Sequence, residues 1–131
     1  MIYVDSNVPM YLVGAGHANK QRVIELVPQL FSAREVLISS AETFQEILQR
    51  YLAIRDRRHL SAAYDALEAM VANVADVTKR DVDAARTLSA EHGKLSSRDC
   101  LHLAIMRRLN CKKIWTYDAG FDVVPSIDRV H

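Results

Sequence analysis

Short β-prone apolar runs alternate along this chain with longer segments whose apolar residues recur every three or four positions. Ile2-Tyr3-Val4 is the first run, and it stops at Asp5-Ser6-Asn7, residues that favour turns and helix starts. Val8 to Val13 reads as a brief helix with Pro9 in its first turn, broken by Gly14-Ala-Gly16. From Ala18 to Ser32, Val23, Leu26, Val27, Leu30 and Phe31 fall at helical spacing, with Pro28 as a kink. Val36-Leu-Ile38 predicts a second strand. Ser39-Ser-Ala-Glu42 has the form of a capping box for a helix to about Arg55, with an inward stripe of Ala41, Phe44, Leu48, Tyr51 and Leu52 and with Glu42 and Glu46 on another face. A helix from His59 to Met70 buries Leu60, Ala63, Tyr64 and Leu67. Val71 to Val77 supplies a strand, and Thr78-Lys-Arg-Asp81 caps a helix that ends at Gly93. Ser96 opens a helix apolar on nearly every side, followed by the strand Ile114-Trp-Thr116 and a last short one near Arg129-Val130.

Strands this short and this continuously apolar, alternating with helices, predict an α/β fold with a parallel central sheet of about five strands and helices on both faces. Right-handed crossovers bring the carboxyl ends of such strands to one edge. Asp5 ends the first strand, Asp118 follows the strand at 114–116, Glu46 lies in the second turn of the helix after strand two, and Asp99 lies in the first turn of the last long helix. Each acid also has a local explanation: Asp5 as a helix cap, Asp99 as partner of Ser96 in a capping box, Asp118 as an Asx turn, Glu46 as a solvated surface residue. Together, four like charges in one crevice repel unless a cation compensates them, and carboxylates suit a hard divalent ion such as Mg²⁺ or Mn²⁺.

The 131 residues predict one domain spanning 1–131, half hydrophobic and one quarter charged, and therefore folded. A net charge of +1 excludes a global basic field, so a polyanion has to be gripped locally. Cys100 and Cys111 form no paired pattern and read as reduced thiols of a cytoplasmic protein. No apolar stretch is long enough to span a membrane, and none resembles a secretion leader.

The motifs Val4-Asp5-Ser6-Asn7, Ile38-Ser-Ser-Ala-Glu-Thr-Phe-Gln-Glu46, Ser96-Ser-Arg-Asp99-Cys-Leu-His-Leu-Ala104 and Trp115-Thr-Tyr-Asp118-Ala-Gly-Phe121 resemble, in order and spacing, the PIN domain, and most closely the VapC-type toxins of VapBC toxin–antitoxin systems. Ser6 where threonine is usual, Asn110-Cys111 in place of a glycine, and the bulky Trp115 are departures that remove no carboxylate. The resemblance implies a PIN-like three-layer fold and a Mg²⁺- or Mn²⁺-dependent endoribonuclease. Its catalytic and metal-holding residues would be Asp5, Glu46, Asp99 and Asp118, with Asp122 as a further candidate ligand. It also implies an RNA substrate, a homodimer, and a separate VapB-like antitoxin that reaches into the acidic cleft. Ser6 or Thr116 would orient a carboxylate from behind.

A phosphoacceptor receiver would show paired acids after its first strand and a lysine after its last core strand, and a haloacid-dehalogenase-type phosphatase needs Asp-x-Asp where this chain has Asn7. The remaining alternative is a PIN-fold module that binds RNA or protein without cutting. Two basic runs, Arg50, Arg55, Arg57, Arg58 with His59 and Arg107, Arg108, Lys112 with Lys113, sit at helix ends; the first is the preferred RNA contact. His102 is expected to be a structural histidine. The helix from Arg98 to Leu109 carries more apolar surface than one sheet face is expected to cover, some of it left for a second subunit.

Overall fold

The computed structural model describes all 131 residues. Five strands, β1 (Ile2–Val4), β2 (Leu37–Ser40), β3 (Asn73–Ala75), β4 (Lys113–Trp115) and β5 (Asp128–Val130), form one sheet in the order β3-β2-β1-β4-β5. Every pair is parallel, as the uninterrupted apolar runs predict. The order reverses beside β1, so the crevice expected at a topological switch point opens between the carboxyl ends of β1 and β4. Asp5 and Thr116 follow those two ends.

Six helices complete the layers: α1 (Asn7–Val13), α2 (Ala18–Ser32), α3 (Ala41–Ala53), α4 (Arg57–Met70), α5 (Lys79–Glu91) and α6 (Ser97–Arg108). Alternation along β1 divides the core. Ile2 and Val4 face α1 to α4 together with Leu37 and Trp115, while Tyr3 faces α5 and α6 together with Ile38 and Ile114. Pro28 lies inside α2 without ending it.

Two expectations are corrected. The inward stripe of α3 is Thr43, Phe44, Glu46, Ile47 and Tyr51, whereas Leu48 and Leu52 are 42% and 44% exposed; the helix is rotated so that Glu46 enters the interior. The capping box at Ser39 to Glu42 does not form, because the hydroxyls it needs have distant partners: Ser39 Oγ donates to the Val4 carbonyl at 2.9 Å, and Ser40 Oγ lies 2.6 Å from the Tyr3 hydroxyl. Helix α6 is covered within the chain more fully than its circumference suggests, since Cys100, Leu103, Ala104, Ile105 and Met106 are buried by the sheet, by Ala85 and Leu88 of α5, and by Phe121, Val124 and Ile127 from the chain after β4, while Leu101 and Leu109 stay partly exposed. The capping box at Thr78 and Asp81 is present. Helix α4 starts two residues early, on an Asp56 cap whose carboxylate accepts the His59 N–H. Both cysteines are free and buried, and no helix is long and apolar enough to cross a membrane.

Three helices end on a left-handed residue that is not glycine. Arg34, Arg55 and Asn110 take φ of 57°, 54° and 54° just past α2, α3 and α6. At each, two backbone bonds close the end in the Schellman pattern; after α6 these run from Asn110 N to the Arg107 carbonyl at 3.1 Å and from Cys111 N to the Met106 carbonyl at 2.8 Å. A left-handed conformation costs a side-chain-bearing residue about 1 kcal/mol relative to glycine, less for asparagine. Arg34→Gly should accordingly stabilise the fold by roughly 0.5–1 kcal/mol, a rise of about 2–5 °C in thermal midpoint. An unchanged or lowered midpoint would show that the Arg34 side chain contributes more than the backbone strain costs.

Candidate metal centre

The residues after β1 are held from three directions. Asp5 is 5% exposed; its Oδ1 accepts the Ser6 N–H at 2.7 Å, and its Oδ2 accepts the Thr116 hydroxyl at 2.6 Å and Asn7 Nδ2 at 3.1 Å. Thr116 is the joint between β1 and β4, because the oxygen that donates to Asp5 also accepts from Asn7 Nδ2 and from the Asp118 N–H, each at 3.0 Å. Asn7 closes the other side by accepting the Tyr117 N–H at 3.2 Å. Each polar atom of this joint is thereby used.

Glu46 reaches the same place from α3. Its Oε2 accepts the Ser6 hydroxyl at 2.7 Å and its Oε1 lies 2.5 Å from His102 Nε2. Ser6 is the residue at the start of α1, yet its hydroxyl makes no cap and serves Glu46 instead. His102, fully buried, places Nδ1 2.7 Å from the Tyr3 hydroxyl, which continues to Ser40 Oγ at 2.6 Å and Thr43 Oγ1 at 3.2 Å. A five-residue chain of buried polar groups therefore runs from α3 through β1 and α6 back to α3.

Charge follows this geometry. Burial opposes a charged imidazole at His102, but the Tyr3 phenol, the hydrogen bond to Glu46 and the carboxylates of Glu46 and Asp5 outweigh it and lift its pKa well above 6.5. Burial also works against the Glu46 carboxylate, and the His102 bond and charge with the Ser6 bond reverse that and lower its pKa. Asp5 remains raised, chiefly by burial, with the neighbouring Glu46 adding to it. Asp99 is raised by burial and then by the charges of Asp5 and Asp118. The charge of Glu46 bears on Asp5, and those of Asp5 and Asp118 bear on Asp99.

They differ in how they are held. Asp5 and Glu46 belong to the buried network. Asp99 is half-buried at the start of α6, where its N–H donates to Ser96 Oγ at 3.1 Å, and Asp118 is exposed, with Oδ1 accepting the Gly120 N–H at 2.8 Å. The turn role of Asp118 is present, whereas the cap of α6 is Ser96 alone: no capping box forms, and the Asp99 carboxylate does not return a bond to the Ser96 N–H. Asp122 lies apart from the network: it is exposed, and both its oxygens are taken by Arg129, at 2.9 and 3.1 Å.

Ligand atoms of Asp5, Glu46 and His102 lie within 4.8 Å of one another. His102 is poorly suited to be one of the ligands, since both ring nitrogens are engaged and the ring carries a proton on each when charged. The donor set that fits a cation is the oxygen set, each carboxylate retaining lone pairs beyond its present bonds. Sequence reasoning did not assign functional parts to Tyr3, His102 and Asn7; the polar tyrosine in an otherwise apolar strand and the histidine one turn after Asp99 were the available signals.

Matched against known proteins, residues 2–127 fit the family model of the PIN domain. The ribonuclease VapC13 of Mycobacterium tuberculosis is 41% identical over 130 residues, which cover 99% of each chain. The crystal structure of VapC20 from M. tuberculosis, described as a toxin that cleaves the sarcin–ricin loop, superposes with a TM-score of 0.74 at 21% identity over 95% of both chains. VapBC2 of Rickettsia felis, solved bound to a DNA fragment of its promoter, superposes with a TM-score of 0.76 at 13% identity, covering 99% of this chain and 98% of that one.

The His102–Glu46 contact has a pH signature. A raised His102 stabilises fully below 6.5 and loses its contribution as pH rises through its folded value; a lowered Glu46 stabilises fully above 4.5 and loses its contribution as pH falls through its own. In chelated protein the pair should therefore stabilise most between pH 4.5 and 6.5 and decline on the alkaline side. His102→Gln should cost about 3 kcal/mol or more near pH 6, by leaving the buried carboxylates uncompensated, and should flatten the alkaline decline. Urea melts from pH 5 to 9 that give parallel profiles for the two proteins would exclude a charged His102.

Proposed function

The chain belongs to the PIN domain family, and we propose that it is a metal-dependent endoribonuclease of the VapC kind, cutting RNA phosphodiester bonds at the acidic crevice between β1 and β4 and held in check by a separate antitoxin. What supports this reading is the buried pair of carboxylates, Asp5 and Glu46, held together beside the switch point of the sheet, with Asp99 coupled by charge to Asp5 and Asp118. Two of the acids are fixed by the interior and two stand at its mouth, an arrangement fitted to a cation shared with a phosphate group. The identity of the ion as Mg²⁺ or Mn²⁺ is supported by the all-oxygen donor set. VapC13, alike over nearly its whole length, is named a ribonuclease, and a toxin–antitoxin complex from Klebsiella pneumoniae contains a chain of the same fold.

In this reading Asp5, Asp99 and Asp118 hold the cation. Thr116 and Asn7 fix the rotamer of Asp5, so that its remaining lone pairs point one way. Glu46 is fixed by Ser6 and His102 and either adds a ligand or orients the attacking water. When bound, a divalent ion supplies a Lewis acid for the phosphate and lowers the pKa of a water. His102 offsets the charge of Glu46 and Asp5 from the protein side, keeping the acids together when no ion is present. Asp122 is left out of the ligand set because Arg129 occupies it.

Incubated with total RNA, the protein should cut at discrete sites in the presence of Mn²⁺ or Mg²⁺ and stop on chelation. Asp99→Asn separates site from fold. Asparagine retains the local helix start, while the lost charge relieves repulsion from Asp5 and Asp118. The variant should therefore melt at or slightly above the wild-type temperature in chelator, respond less to Mn²⁺, and cut at least about a hundredfold more slowly, a loss of near 3 kcal/mol in the transition state. Cleavage at the wild-type rate would leave Asp99 with no part beyond the helix start.

A further inference from the structure

The basic run that ends α3 and opens α4 is not used by the acidic crevice. Arg50, Arg55, Arg57 and Arg58 make no salt bridge, in contrast with the second run, where Arg108 binds Asp81 at 2.7 Å, Lys113 binds Glu35 at 2.8 Å and Arg107 lies 3.9 Å from Glu91. One of the four has a defined place. Arg50 follows Glu46 by one helical turn and lines, with Asn7, Met10, Tyr11, Tyr51 and Ile54, a cavity of about 350 Å³ between α1 and α3. Asn7 is the same residue whose amide donates to Asp5, so this cavity begins where the acidic site ends.

The lining is mixed in a particular way. Tyr11 is half-buried, stacks on His17 with ring centroids 5.0 Å apart, and meets Tyr117 edge-on at 5.5 Å. Tyr117 itself directly follows Thr116, so an aromatic wall leads away from the end of β4. Opposite stands an exposed arginine with no acidic partner. Aromatic rings beside an unpaired guanidinium are the groups that bind single-stranded RNA without reading its sequence closely: bases stack on the rings, and phosphates sit on the cation. A cavity of this size accommodates one nucleotide. We propose that the cavity formed by Asn7, Tyr11, Arg50 and Tyr51 is a subsite for a nucleotide flanking the scissile phosphate of single-stranded RNA, with the next phosphates carried by Arg55, Arg57 and Arg58. The inference rests on the nuclease reading for its orientation, and on charge and lining for its ligand.

The test uses the full chain in chelator, where nothing is cut, and reads binding of a fluorescein-labelled single-stranded RNA of about twelve nucleotides at two salt concentrations. Arg50→Ala should weaken binding roughly fivefold and lower the slope of log affinity against log salt by about 0.7, one counterion's share on a single strand. Tyr11→Ala should weaken it roughly five- to a hundredfold and leave that slope alone, as loss of stacking requires. Tyr11→Leu, which keeps most of the volume, serves if the alanine variant melts early. The Mn²⁺-induced rise in melting temperature should match the wild type in each, showing an undisturbed acid site. RNA affinities within twofold of wild type in both the Arg50 and Tyr11 variants overturn the subsite; so does loss of affinity for a co-expressed antitoxin with RNA binding intact, which makes the cavity a protein groove. If wild-type protein binds RNA through Arg50 and Tyr11 yet never cuts it in Mn²⁺, the subsite stands and the nuclease reading falls.

Discussion

A single buried contact, Glu46 to His102, determines how the rest of the acidic crevice can be built. A carboxylate that is 8% exposed and lies near a second one is tolerable only if something positive is desolvated with it. The imidazole supplies that charge, and its other nitrogen is supported by Tyr3 from the middle strand of the sheet. Because α3, α6 and β1 each contribute one member, the contact ties their mutual orientation together. Removing any member leaves another buried and unpaired, which costs more than the pair itself contributes.

The sheet decides where this contact lies. With β1 in the middle and the order reversing beside it, the ends of β1 and β4 sit side by side, and one threonine hydroxyl spans them. The two cores on either side of the sheet are otherwise ordinary: Ile, Leu, Val and one tryptophan packed by helices. Buried polar chemistry gathers at the carboxyl edge and at the Tyr3 hydroxyl that reaches it from within, with one separate buried acid, Asp81, paired to Arg108.

Most of the architecture was legible because it depends on local period. Runs of two to four apolar residues could be only strands in a covered sheet, and the acids at their ends followed from parallel connectivity. What was not legible depended on distant partners. The stripe Phe44, Leu48, Tyr51, Leu52 and the true one through Phe44, Ile47 and Tyr51 fit a helical wheel about equally well. Choosing between them requires knowing that Glu46 meets His102, and no hydropathy pattern places a glutamate inside. Ser39 and Ser40 have the form of a cap, but their hydroxyls go to β1 and its tyrosine. Tyr3 and His102, ninety-nine residues apart, carry no mutual signal in a single sequence. Asp118 illustrates the converse, since the turn its spelling suggests is present beside a charge coupling to Asp99.

The helix ends at Arg34, Arg55 and Asn110 bear on how a substrate is met. Enzymes that close over a ligand commonly turn about residues with open φ/ψ choices. Here the joints after α2, α3 and α6 are occupied by side-chain-bearing residues locked by paired backbone bonds, and no glycine in the chain uses its left-handed freedom. The turn at Arg55 joins α3 to α4, and the turn at Asn110 leads to the amino end of β4, away from the acids at its carboxyl end. None of these three joints is a glycine hinge, so motion of the kind that closes an enzyme over its ligand has no such pivot at the ends of α2, α3 or α6.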